Sequence, residues 1–138
     1  MTLYSIINKL KECASAEPNI NTVIEGDIYQ LNTNGDVRYS AFCVTPTRMK
    51  TSEDIDYYTL TLFYVDRLNE SRDNQIELLS RGTTILRNII NRFNSVDDTT
   101  QIDYTFEIIP FIQRFASDCS GVMATVIVTT ETIGICDI

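Results

Sequence analysis

Four cysteines and no histidine bound the chemistry open to this 138-residue chain. Cys13, Cys43, Cys119 and Cys136 stand far apart without a CxxC pair, so a zinc site would need all four as thiolates. Buried free thiols are the expectation, and no metal. Without histidine there is no Ser-His or Cys-His pair, and no serine lies in a GxSxG or SxxK context. The glycines at 26, 35, 82, 121 and 134 form neither a P-loop nor a GxGxxG turn, so no cofactor or nucleotide site is expected. Acidic pairs occur at Glu53-Asp54 and Asp97-Asp98, both in polar stretches where carboxylates are solvated. No catalytic residue is expected, and an enzyme working with carboxylates alone is the weakest function class.

Charge narrows the partners. The formal net charge is −8, from 19 acids and 11 bases. Beyond Arg92, seven acids (Asp97, Asp98, Asp103, Glu107, Asp118, Glu131, Asp137) face Arg114 alone, so about −6 of the total lies there. Such a surface repels phosphate, and a nucleic-acid footprint of clustered Lys/Arg with interleaved aromatics is missing. The apolar runs are far shorter than the roughly 20 residues of a membrane helix, and the N-terminus has no basic region followed by an apolar block. A soluble chain made in the cytosol is expected, with the core of one domain over residues 1–138.

The elements that position these residues follow from periodicity. Leu3, Ile6, Ile7, Leu10, Cys13 and Ala14 recur at three and four, which predicts a helix over 3–15 that Thr2 can cap and that Pro18 prevents from continuing. TVIEGDIYQL and VRYSAFCV flank Asn34-Gly35 and read as a hairpin. TPTRMKTSEDID, residues 45–56, reads as a long polar loop that projects from the sheet, with Arg48 and Lys50 meeting an acidic surface of a neighbour. YYTLTLFYVD alternates as a strand.

The longest helix is predicted over about 72–94, capped by Ser71 or Asp73, with Ile76, Leu79, Thr83, Leu86, Ile90 and Phe93 as its core stripe. Glu77, Arg81, Asn88 and Arg92 fall on the far side, Glu77 and Arg81 at ion-pair spacing. Leu78, Ile85 and Ile89 then lie beside the polar row as a second apolar strip, the expected contact with another chain, with Arg81 and Arg92 at its rim. TQIDYTFEIIPF and GVMATVIVTTETIGI complete the strands. The order is α-β-β-β-α-β-β, an α+β fold with a mostly antiparallel sheet of about five strands and both helices on one face.

Between the last two strands, PFIQRFASDCSGV reads as a corner. Pro110 ends a ladder, Phe111 and Phe115 pack inward, Arg114 reaches for a carboxylate on this chain or a neighbour, and Gly121 lets the chain re-enter the sheet.

FYVDRLNESRDNQIELLSRGTTILRNIINRF and PFIQRFASDCSGVMATVIV, with the closing ICD, resemble small virion proteins of tailed phages of Bacteroides-type hosts, including crAss-like phages. The element order is similar to that of tail-terminator and tail-completion proteins. The resemblance implies a non-enzymatic structural subunit located in the virion neck or tail, and in the host cytoplasm during assembly. It also implies a homo-oligomeric ring, a hexamer or dodecamer, that joins portal or neck proteins to the tail. DNA would pass the lumen without sequence-specific contact. The competing class is a monomeric acidic cytosolic binding or adaptor module.

Overall fold

The computed structural model describes residues 2–26, 39–68, 74–96, 98–103, 106–112 and 119–131. Helix α1 spans Leu3–Ser15 and opens where the Thr2 hydroxyl accepts the Ser5 N–H at 3.2 Å, so the expected cap is present. Ile6, Ile7, Leu10, Cys13 and Ala14 are buried, as the periodicity requires. Strands follow at β1 (Thr22–Glu25), β2 (Ala41–Thr51) and β3 (Ile55–Arg67). Helix α2 (Gln75–Asn94) precedes β4 (Thr100–Ile102), β5 (Ile108–Ile112) and β6 (Cys119–Glu131).

The fold is α+β in the expected order, but the sheet formed by the described strands is mixed. Strand order is β1-β2-β3-β6-β4, with β5 also on β6. Among the described strands all pairs are antiparallel except β1 and β2, which run parallel with Thr22 opposite Ala41 and Glu25 opposite Val44. The expected hairpin is therefore corrected. β1 stops at Gly26, whose φ of 102° favours glycine, and its parallel partner begins at residue 41. A tight turn can join only antiparallel neighbours. Asn34 and Gly35 lie outside the described residues.

Two further expectations change. The polar stretch 45–56 is strand, not loop: β2 continues to Thr51, Ser52 N–H donates to the Ile55 carbonyl at 2.8 Å around Glu53-Asp54, and β3 returns. Pro46 is tolerated because on that side β2 has no strand neighbour beyond Val44 among the described residues, and the register shifts between Pro46 and Arg48. The stretch 100–111 is two strands. Ile102 opposes Val128 and Ile108 opposes Ala124, so six steps on one side meet four on β6.

The two helices among the described residues, α1 and α2, lie on one face. Alternate residues Phe42, Val44, Leu60, Leu62, Tyr64, Val122, Ala124, Val126 and Val128 join Ile6, Leu10, Leu86 and Phe93 in the main core. Helix α2 approaches closely because Gly82 has no side chain: a Cβ there would stand 2.6 Å from the Tyr64 ring and 2.9 Å from Val122. Ala41, Cys43, Phe63, Val65, Phe111 and Cys119 form a second, smaller cluster on the opposite face. Within it Phe111 meets Phe63 edge-on at 6.1 Å by passing over Gly121 on the strand between them, where a Cβ would come within 3.0 Å of the Phe111 ring.

Candidate functional site

Helix α2 carries the residues singled out as a subunit contact, and the structure buries them. Leu78, Ile85 and Ile89 are in the main core together with Leu86, Ile90 and Phe93. The two apolar rows form one arc of roughly 140° at 100° per residue, wide because the helix packs on β3, β4, β6 and α1 at once. Ile76, expected in the core stripe, is 77% exposed in the first turn, and the buried arc is turned away from it. There is thus no second apolar strip at Leu78, Ile85 and Ile89.

The two arginines expected at its rim are held by their own chain. Arg81 meets the Asp66 carboxylate at 2.9 Å, donates from Nε to the Tyr64 hydroxyl at 3.3 Å, and stands 3.9 Å from Glu77. The Tyr64 hydrogen bond raises its already high pKa, so it is a fixed cation. Arg92 donates to the buried Glu17 carboxylate at 3.1 Å and to the Cys13 carbonyl at 2.9 Å, tying the end of α1 to α2. It satisfies a carbonyl at the helix C-terminus, where cations are favoured. Burial pushes the Cys13 thiol up from its ordinary range, opposed in part by Arg92. Cys13, Cys43 and Cys119 are buried thiols outside any disulfide, while Cys136, Arg114 and Phe115 lie outside the described residues.

Among the described residues, no three of His, Cys, Asp and Glu converge as metal ligands. No helix among the described residues is long and apolar enough to cross a membrane. A polar cleft of about 260 Å³ is lined by Asn19, Asn21, Tyr39, Ser40, Tyr64, Asp66 and Arg81. Its ion pair is internally matched, the Asn21 amide donates to the Tyr39 carbonyl at 2.8 Å, and Ser40 bonds to the Asn19 carbonyl. These bonds tie the β1 entry to β2.

Arg48 and Lys50 have a different setting. The β2–β3 arm is bare from Pro46 through Asp54, with Met49 63% exposed. Arg48 opposes Thr59, and Lys50 opposes Tyr57 with its ammonium 5.9 Å from the ring centre. Both thus share the sheet face away from the helices. On that face β6 presents Thr125 and Ile127, the latter 43% exposed, and β5 presents Ile109, 48% exposed. The sequence reading passed over these two isoleucines. The signal was the run Val126-Ile127-Val128, whose middle residue points away from the face of its neighbours.

The opposite edge is closed. The buried Asn94 side chain, at the end of α2, accepts the Ile102 N–H at 2.7 Å and donates to the Ile102 carbonyl at 2.9 Å, and Gln101 bonds to the Asn94 carbonyl at 3.0 Å. One amide stands where a further strand would pair. Comparison with protein-family models and with curated proteins found no match to this chain.

Proposed function

We propose that the protein is a non-enzymatic structural subunit that works by assembling, as a homo-oligomeric ring of six or twelve copies at the head-to-tail junction or tail of a phage. The observation that supports it is the β2–β3 arm. Its side chains are exposed on both faces from Pro46 to Asp54, and the β2 edge beyond Val44 has no strand neighbour among the described residues. An open strand edge is a liability in a chain that stays alone and an asset in one that docks on a neighbour. The resemblance of the α2 and β6 sequences to phage virion proteins supplies the location, between portal or neck and tail. The net charge of −8 suits a channel wall that DNA must leave without being held. Head-to-tail contacts of one surface with a different one close into rings.

Electron microscopy and native mass measurement of the purified protein, alone and with adjacent neck or tail components, test this reading. Closed rings of six or twelve are expected. A chain that stays monomeric with those components at high concentration, and that is missing from virions, overturns it in favour of a monomeric acidic binding module.

A further inference from the structure

Helix α2 and strand β5 leave a cleft between them. It holds about 220 Å³ and is lined by the apolar Ile90, Phe106 and Ile108 and by Arg87 and Asn91, which stand one turn apart on α2. Ile90 is buried, whereas Arg87 and Asn91 are exposed. Among the described residues the Arg87 side chain makes no hydrogen bond or ion pair, while Arg81 and Arg92 on the same helix are both held by carboxylates. Glu107, the acid nearest the cleft in sequence, lines a different hollow with Ile109 and Thr125. Pockets for drug-sized ligands run from about 300 to 1,000 Å³, so this cleft is on the scale of an amino-acid side chain. Apolar walls beside an unpaired guanidinium suit an apolar side chain with a carboxylate next to it.

The chain itself carries such a pair. Six large apolar side chains stand exposed among the described residues: Tyr4, Met49, Ile76, Val96, Ile109 and Ile127. Tyr4 and Ile127 have no acid within two residues, and Met49 lies between Arg48 and Lys50, which Arg87 would repel. Ile76 adjoins Glu77, but that carboxylate already stands 3.9 Å from Arg81. Ile109 has Glu107 two residues before it, but it is half covered in the sheet. Val96 is 68% exposed just past the end of α2, and Asp98 is exposed with no side-chain partner among the described residues. Asp98 shares a hollow with Glu131 that no base lines among the described residues. The bases near Val96 are already engaged, Arg92 with Glu17 and Lys9 over the Phe93 ring.

We propose that Val96 and Asp98 of one copy seat in the α2–β5 cleft of the next, with Val96 against Ile90, Phe106 and Ile108 and the Asp98 carboxylate on Arg87. Nine residues separate Arg87 from Val96, a rise of roughly 14 Å and a turn of about 180° if the helical path is continued through Ser95, which keeps the αR conformation. Projection and cleft therefore face opposite ways, and each copy offers them to different neighbours. Such head-to-tail contacts close into a ring when the rotation between copies permits. This surface rests on the ring reading and gives it a contact: an apolar anchor with a charge pair that the seating removes from water.

Charge exchange tests it on the full chain, with assembly followed by sedimentation and native mass measurement. Arg87→Asp and Asp98→Arg are each expected to weaken assembly at least about tenfold, the effect of losing roughly 1.4 kcal/mol. The chain carrying both changes restores an opposite pair at every contact and is expected to return to within about threefold of the parent. A second pair of variants reads the direction of the contact. Val96→Lys spoils only the projection and Asn91→Lys only the cleft, so each alone should stay single. Mixed in equal amounts they should give pairs and nothing larger, because one sound projection meets one sound cleft and the two remaining ends carry like charge. All four positions are exposed, and circular dichroism checks that each variant is folded. Rings formed by either charge variant as readily as by the parent overturn this surface and leave the ring reading intact. So does a double variant no better than the single ones, or a mixture that does not pair. A parent chain that stays monomeric at high concentration with adjacent neck and tail components overturns both.

Discussion

Gly121 and Ile127 lie six residues apart on β6 and on the same side of the sheet, yet they belong to differently built regions. Around Gly121 both faces are buried: Tyr64 and Val122 lie under α2, while Phe63, Val65, Phe111 and Cys119 close the other side. Around Ile127 only the helix side is filled, by Val126, Val128 and Ile102, and the outer side is open from Arg48 across to Ile109. The same strand thus serves as core at one end and as presented surface at the other. What divides them is neighbours: β1 and β5 flank the sheet at the first end, and the bare arm marks the second. On the outer side of β6, a substitution should therefore be costly or silent for folding according to its height along the strand, while the helix side is core at both ends.

The largest expected loss is Gly121→Ala. A Cβ there would stand 1.9 Å from the Tyr64 carbonyl oxygen, a backbone atom that cannot step aside without opening the β3–β6 ladder. Overpacking costs about 1–3 kcal/mol where side chains can yield, so a loss of about 4 kcal/mol or more is expected in urea unfolding. A stable Gly121→Ala protein would remove the tight end of the comparison. Next comes Asn94→Ala, which strips Ile102 of partners for both its N–H and its carbonyl. About 3 kcal/mol should be lost, with faster amide exchange confined first to β4.

Ile127→Thr is the sharper control. Removing a side chain already 43% exposed should move the unfolding midpoint by no more than about 0.5 kcal/mol. A loss of 2 kcal/mol or more would mean that the outer face is covered within one chain. Smallest of all, Arg48→Ala with Lys50→Ala should leave thermal stability within about 0.5 kcal/mol, since neither takes part in an ion pair among the described residues.

The sequence reached the helices, the main strands and their order because each depends on local periodicity. Thr2 at the head of α1 and the three-four spacing from Ile6 to Ala14 are complete signals in themselves. Three features were not legible, each for a non-local reason. The parallel pairing of β1 with β2 depends on where a distant stretch docks, and Asn34-Gly35 pointed the other way. Residues 45–51 look like loop because Pro46, Arg48 and Lys50 are poor strand formers, but the ladder to β3 decides. For α2, periodicity gives the width of the apolar arc only when its centre is known, and Ile76 is a misleading origin. Of the candidate contact residues, Arg48 and Lys50 stand on open surface, whereas Leu78, Ile85 and Ile89 are structural. Ile109 and Ile127 were not legible because each stands beside apolar neighbours, Ile108 and Val126 with Val128, in a run where alternation alone does not say which face is covered.

The break between β4 and β5 sets a rule for how this chain can vary in length. Between Ile102 and Ile108 the path advances six residues against four on β6, a surplus of two. Because strand side chains alternate with period two, an even surplus keeps Ile102 and Ile108 both toward the helices. A single residue gained or lost there would turn one segment over, sending Ile108 outward and Ile109 inward. Homologous chains should accordingly differ at this point by pairs of residues, and an odd change should appear only with a compensating one before Phe111. The surplus is thus a parity check written into the edge of the sheet.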